Sequence, residues 1–380
     1  MKEIKVGLIG TGVIAHNHAE RYQEIPGVEI VAACDIQSDK LEKFCDKYKI
    51  KNRYADYREM LKRDDLHAVS VCVHNNLHTP LAIAVMRAGK DCYCEKPMSG
   101  SYTDALAIKK AAQELGRKLH IQLAFLYHPQ THATEKLISD GKLGKLYHAR
   151  SYGYRRRGRP FVDGYAEKEF NSKYWASGGA LYDMGVYHIS QLLYLLGLPT
   201  VERVVGQVYQ EIDMHAERRK EGGFDVDELG VGFVSFTDGL TLDILESWAI
   251  HAGPFPNSMI AGSLGGVTLG YDELKFYEET SGYPMSSVVD TDAEMYRTRQ
   301  ADPSLKLYDE SVHHWIGALR GECPLIDTAE IGLQTMLVSE GIYMSGALGR
   351  EVTADEIISG SKSQAIRKQE VPFGVLEYDW

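Results

Sequence analysis

The chain has 380 residues, of which 44% are hydrophobic and 25% charged, and its formal net charge is −11. The length favours two domains with a core each, and no apolar run is long enough to span a membrane. The negative charge disfavours nucleic acid and anionic lipid as principal partners. The first residues enter a short strand-like run with no secretory leader, so cytoplasmic residence is expected.

In chain order, Ile4 to Ile9 reads as an apolar strand that runs directly into Gly10-Thr11-Gly12-Val13-Ile14-Ala15 and a helix reaching Glu24. Gly10 permits the tight turn, Gly12 lets backbone N–H groups approach a pyrophosphate at the helix N-terminus, and Ala15 lets helix and strand pack closely. A second strand, Val28 to Cys34, ends at Asp35, where a carboxylate accepts from ribose hydroxyls and repels a 2′-phosphate. No arginine follows within Ile36 to Lys40, so the expected cofactor is NAD rather than NADP.

The alternation continues with a helix near Tyr57 to Lys62, a strand from Ala68 to Val73, a helix from about Pro80 to Ala88 and a strand around Cys92. A helix from Thr103 to Leu115 and a strand from Lys118 to Gln122 complete an α/β doubly wound Rossmann domain over 1–122. Beyond it, 123–380 is expected to form an α+β domain, to which the resemblance described below assigns substrate binding and oligomerisation. Its strands are Leu146 to Tyr154, Val201 to Tyr209, Leu229 to Phe236 and Leu240 to Ser247, in an open, mainly antiparallel sheet, with one long helix over Gly178 to Leu196.

Two loops at strand ends lie where such a fold binds ligands: Val73-His74-Asn75-Asn76-Leu77-His78 and Glu95-Lys96-Pro97. With the glycine turn and the later Gly178-Gly179-Ala180-Leu181-Tyr182-Asp183, they resemble the glucose-fructose oxidoreductase, inositol dehydrogenase and rhizopine-catabolism superfamily over most of the chain. Glu-Lys-Pro is the most specific element. Val73 and His74 depart from the family's usual Thr-Pro, whereas Asn75 and His78 fit.

The resemblance implies that Lys96 reaches the reacting hydroxyl and that Pro97 follows a cis bond. It also implies cofactor contacts from Asn75, His78, Glu95 and Lys96, and a homo-oligomer, dimer or tetramer. An ammonium at the reacting oxygen stabilises the alkoxide that develops as hydride leaves carbon. The implied activity is NAD-dependent hydride transfer at a secondary hydroxyl of a sugar, glycoside or polyol. Lys168 to His188 most resembles bacterial oxidoreductases acting at C3 of glucosides. The alternatives are an inositol or polyol dehydrogenase, a redox-neutral glycosidase that retains NAD, and a nucleotide-binding regulator without catalysis.

On a continuous helix Asp183 and Tyr187 share a face, and His188 is turned away by about 100°. That favours Tyr187 as proton acceptor and Asp183 as the group orienting substrate hydroxyls. A backbone deformation at Gly185 brings His188 in instead, with an unperturbed pKa near 6.5 suited to a base.

Asp183 and His188 miss the i, i+4 spacing of helical metal ligands by one residue, and the Cys92-x-Cys94 pair has no second pair to complete a tetrahedral set, so no metal is expected. The segment from Gly153 to Trp175 is rich in aromatics, of which Tyr174 and Trp175 lie nearest the catalytic helix and are read as substrate contacts. Trp248 is open between pocket and core. The basic cluster Arg155, Arg156, Arg157 and Arg159 is read as solvated, an interface, or a guide for an anionic substrate.

Overall fold

The computed structural model describes residues 2–253, 256–270 and 272–380. Its backbone divides into two compact units, one of Met1–Gln122, Glu310–Glu330 and Ser363–Trp380, the other of Leu123–Asp309 and Ile331–Lys362. The expectation that everything after residue 122 forms the second domain is therefore corrected, because two later segments fold into the first unit.

In the first unit the strands are β1 (Ile4–Ile9), β2 (Val28–Cys34), β3 (Asn52–Tyr54), β4 (Ala68–Val71), β5 (Asp91–Cys94) and β6 (Leu119–Ile121). They pair in the order β3-β2-β1-β4-β5-β6, all parallel. The helices between them are α1 (Val13–Glu24), α2 (Ser38–Tyr48), α3 (Tyr57–Leu61), α4 (Asn75–Arg87) and α5 (Tyr102–Leu115). The strand order reverses between β1 and β4, so the glycine turn and the His74 loop flank the crevice where such sheets bind ligands.

The returning segments belong there for packing reasons. Val312, Trp315, Ile316 and Leu319 of the helix Ser311–Arg320 complete a core with Ile4, Val6, Tyr22 and Tyr93, and the Trp315 side chain is fully buried. Helix α4 starts five residues before the expected position and carries Pro80 inside it. Proline has no N–H to give the Asn76 carbonyl one turn back, and that carbonyl accepts instead from the backbone N–H of Ile366 at 2.9 Å. Asp104 in α5 anchors the same return, since its Oδ2 accepts from the N–H groups of Gln364 at 2.7 Å and Ala365 at 3.1 Å.

The second unit contains a nine-stranded sheet of β7 (Leu146–Tyr154), β8 (Val201–Tyr209), β9 (Leu229–Phe236), β10 (Thr241–Ser247), β11 (Ser258–Gly262), β12 (Gly265–Leu269), β13 (Leu274–Thr280), β14 (Tyr283–Val289) and β15 (Val352–Thr353). The order is β14-β13-β12-β11-β7-β10-β9-β8-β15, antiparallel except for the parallel β7–β10 pair. Helices α6 (Pro129–Ser139), α7 (Lys173–Ala176), α8 (Ala180–Asp183) and α9 (Gly185–Leu195) belong to this unit. The single long helix expected over Gly178 to Leu196 is observed as α8 and α9, which join at Met184, a residue that keeps helical dihedrals (φ −87°, ψ −46°) while the Tyr187 N–H turns back to its carbonyl at 3.2 Å.

Replacing Asp104 with alanine takes the carboxylate from the Gln364 and Ala365 N–H groups, of which the latter keeps a 3.3 Å bond to the Ser363 hydroxyl, and is expected to cost about 1–3 kcal/mol. It should lower the thermal unfolding midpoint, and calorimetry of the variant beside the parent checks this.

Candidate active site

Gly10 carries the turn after β1 at φ 90°, and an added Cβ there would collide with the Cys72 carbonyl oxygen. Gly12 caps α1 and has open space where a side chain would stand, and no side chain caps the helix. Uncapped N–H groups at a helix start, reached through glycine, suit a pyrophosphate. Thr11 is buried, Val13 is 80% exposed and Ile14 is half-buried. Asp35 sits just past β2, with its Oδ2 accepting from the Thr11 N–H and hydroxyl at 2.8 Å each and its Oδ1 from the Gln37 N–H at 2.8 Å. A carboxylate offers about four acceptor positions, so capacity is left for a ribose hydroxyl, and these residues fit a dinucleotide.

The Lys96–Pro97 peptide is cis, as the resemblance implies, and Lys96 is half-buried. Glu95 and His78, expected among the cofactor contacts, are turned into the unit and act as braces. Glu95 is buried and accepts from the His18 ring at 2.7 Å and from the Lys96 N–H at 3.1 Å. Burial opposes the charge on both partners. At His18 the Glu95 carboxylate outweighs it and raises the ring above its ordinary value. At Glu95 burial is outweighed by the His18 and Lys96 charges, which hold the carboxyl below its ordinary range. Burial keeps Cys72 a neutral thiol, so the carboxylate is the charge that His18 answers.

His78 is fully buried between the two ligand loops, with ring nitrogens 2.7 Å from the Pro97 carbonyl and 3.1 Å from that of Val73, and as a neutral ring it donates to one of the two. Burial holds its pKa down. Asn75 opens α4, directly after His74 at the cap.

In the second unit Asp183 ends α8, and the Trp248 indole N–H donates to it at 3.0 Å. Trp248 is fully buried among Val162, Ala180, Phe224 and Val226, so it fills the core while holding Asp183. Tyr187 packs on Phe125 at 5.1 Å between ring centroids, and His188 meets the same ring edge-on at 5.2 Å. The His188 Nδ1 lies 3.1 Å from the buried Glu246 carboxylate. Burial opposes the imidazolium, but Glu246 and the Met184 carbonyl outweigh it and raise the pKa of His188. Tyr174 is 55% exposed and stands perpendicular to Trp175.

The arginine cluster divides. Arg159 is fully buried between Asp163 and Glu228, at 2.8 and 2.9 Å, and is a brace, whereas Arg156 and Arg157 are exposed and Arg155 bonds to the Tyr165 hydroxyl. Sequence reasoning missed Asp227, Glu228 and Glu246. Asp227 accepts from the N–H groups of Gly179 at 2.7 Å and Leu181 at 3.1 Å and so fixes the start of α8. The signal for Glu246 was present: Leu242, Ile244 and Glu246 alternate along β10, which puts an acid on its buried face.

Two family models match, the oxidoreductase family with NAD-binding Rossmann fold over residues 4–123 and the GFO/IDH/MocA C-terminal domain over 131–268. The chain belongs to this oxidoreductase family. It is 26% identical to the D-glucoside 3-dehydrogenase of Escherichia coli (strain K12) over 92% of this chain and 97% of that one. It is also 30% identical to the inositol 2-dehydrogenase of Salmonella typhimurium (strain LT2), over 39% of this chain and 46% of that one. Among solved structures, levoglucosan dehydrogenase in complex with NADH and levoglucosan superposes with a TM-score of 0.77 at 20% identity, over 93% of this chain and all of that one. The chain is thus an NAD-dependent oxidoreductase.

Asp35→Ser removes the carboxylate expected to accept from the ribose, and a hydrogen bond to a charged group is worth about 1.5–3 kcal/mol. NAD should bind on the order of 10–100-fold more weakly by calorimetric titration, with NADP losing less.

Proposed function

We propose that this chain oxidises a secondary ring hydroxyl of a sugar or glycoside, with C3 of a glucoside as the leading position. The observation that carries the reading is the match to a D-glucoside 3-dehydrogenase across 97% of that relative's length. The inositol dehydrogenase matches stop at about half of theirs, which makes a polyol the second reading.

NAD, when bound, accepts the hydride. Lys96 holds the reacting oxygen and stabilises negative charge developing on it. Asp183, steadied by Trp248, accepts from the substrate's hydroxyls. The proton goes to a side chain of α9, where Tyr187 and His188 are the titratable neighbours. Tyr174 and Trp175 offer apolar faces of the kind that stack on sugars. Asn75 is assigned to the cofactor, and the glycine turn with Thr11, Val13 and Ile14 to its pyrophosphate.

We also propose a homo-oligomer, supported by apolar side chains left on the second unit's sheet. Val205 and Phe233 are cross-strand partners, each 41% exposed. Light scattering after size exclusion should give a multiple of 42.5 kDa, and a monomer at micromolar concentration would exclude it. Cytoplasmic residence is supported by six free cysteines, which suit a reducing compartment; cell fractionation checks it.

The purified protein with NAD and a panel of glucosides, free sugars and inositols should yield NADH and a product two mass units lighter from glucosides. Aglycone release without NADH would mean redox-neutral cleavage instead, and turnover of inositols alone would mean a polyol dehydrogenase. Lys96→Met should lower kcat/KM on the order of 10²–10³-fold while NAD still binds, as read by steady-state kinetics and calorimetry.

A further inference from the structure

We propose that Glu246 is a positioning residue that holds His188 as the group taking the proton from the substrate hydroxyl, with Ser151 fixing Glu246 in turn. The inference rests on the dehydrogenase reading above and chooses His188 over Tyr187 within it.

The argument begins with the cost of Glu246. Its carboxylate is fully buried at the end of β10, where an unpaired charge is prohibitive. It is met from two elements: the Ser151 hydroxyl of β7 donates at 2.7 Å to one oxygen, and His188 of α9 lies 3.1 Å from the other. A carboxylate only accepts, so Nδ1 must carry the proton it shares. Neutral His188 is then fixed in the tautomer whose lone pair is on Nε2, the form a general base requires. The side chain of His188 keeps 16% of its surface exposed, while Glu246 keeps none.

The surrounding backbone is cut to fit this pair. A Cβ on Gly153 of β7 would collide with both the Glu246 carboxylate and the His188 ring, and a Cβ on Gly185 would stand 3.2 Å from the Glu246 Cγ. Where α8 meets α9 the Tyr187 N–H returns to the Met184 carbonyl three residues back, and the ring of His188, one residue on, faces Glu246. Phe125 fixes the ring from a third direction.

Among the described residues, the groups bearing on His188 are Glu246 from β10, Ser151 from β7, the Met184 carbonyl one turn back, and His128 ahead of α6. Burial, His132 and His188 lower the pKa of His128, so it is neutral and does not cancel Glu246. The raised pKa of His188 agrees with an ion pair that overcomes burial. In the oxidation, the hydroxyl proton passes to Nε2 and the O–H pair becomes the second C=O bond as the carbon's hydrogen leaves with its own pair for NAD. Only neutral His188 can do this, so oxidation gains as pH rises through the raised pKa.

The test uses the full chain with NAD and the substrate found above. Glu246→Gln keeps the shape and removes the charge. The acid limb of the kcat profile should move to lower pH, and the plateau should fall on the order of 10–100-fold with KM for NAD unchanged. Gly153→Ala, which wedges the pair apart, should move the limb the same way. Nitrogen-15 NMR of the unaltered protein, with His188 assigned by its loss in His188→Asn, should show the Nδ1–H tautomer, titrating above 6.5. A limb unmoved in both variants, or an Nε2–H tautomer in the parent protein, would overturn the proposal. If no sugar or polyol is oxidised at all, the dehydrogenase reading fails instead, and the NMR result separates that failure from this one.

Discussion

A carboxylate taken out of water needs a donor or a cation to hold its charge, and this requirement organises the chemistry of both units. The acids concerned sit at or beside strand ends. Glu95 follows β5 and answers His18 of α1, Asp227 precedes β9 and holds the first N–H groups of α8, Glu228 answers the buried Arg159, and Glu246 at the end of β10 answers His188 and Ser151. Each acid converts a loop or helix start into a fixed point. A fixed point is what a transfer chemistry needs, because misplacing a reacting group by an ångström is costly.

The pairings also explain why residues that look like ligands can be braces. Glu95 and His78 occur in the two loops most diagnostic of the family, yet the Glu95 carboxylate is spent on His18 and the Lys96 N–H, and the His78 ring is buried against the Pro97 and Val73 carbonyls. Their contribution is to aim Lys96. The motif therefore reads as one half-buried chemical group with an interior scaffold behind it, and the scaffold is no less specific than the group.

The parallel sheet was legible because its information is local. β1 and β2 run as expected from Ile4 to Ile9 and from Val28 to Cys34, and the glycine turn sits between strand and helix. What escaped was set at long range. Nothing near Ser311–Arg320 announces that its apolar face completes the core of the first unit, and the start of α4 depends on Ile366 filling a bond that Pro80 leaves open. Five strands of the second sheet, β11 to β15, were not read, and the parallel pairing of β7 with β10 inside a sheet expected to be mainly antiparallel was not foreseen. Of the site, Lys96, Asp183 and the Tyr187–His188 pair were visible as residues, but the partners that distinguish their roles lie dozens of positions away.

The step from Tyr187 to His188 shows how far one buried acid reaches into sequence. On a continuous helix the periodicity argument is sound, and it gives Tyr187. Burying Glu246 at the end of β10 changes the premises at three other positions: it asks for a cation-forming ring within reach, for a hydroxyl at Ser151, and for no side chain at Gly153. Read singly, Ser151, Gly153 and Glu246 are an ordinary strand serine, a strand glycine and an acid on the wrong face of β10. Taken together they leave one lone pair, on His188 Nε2, outside the buried network, and a proton acceptor of this kind is defined by the partner at its back as much as by its place on the helix.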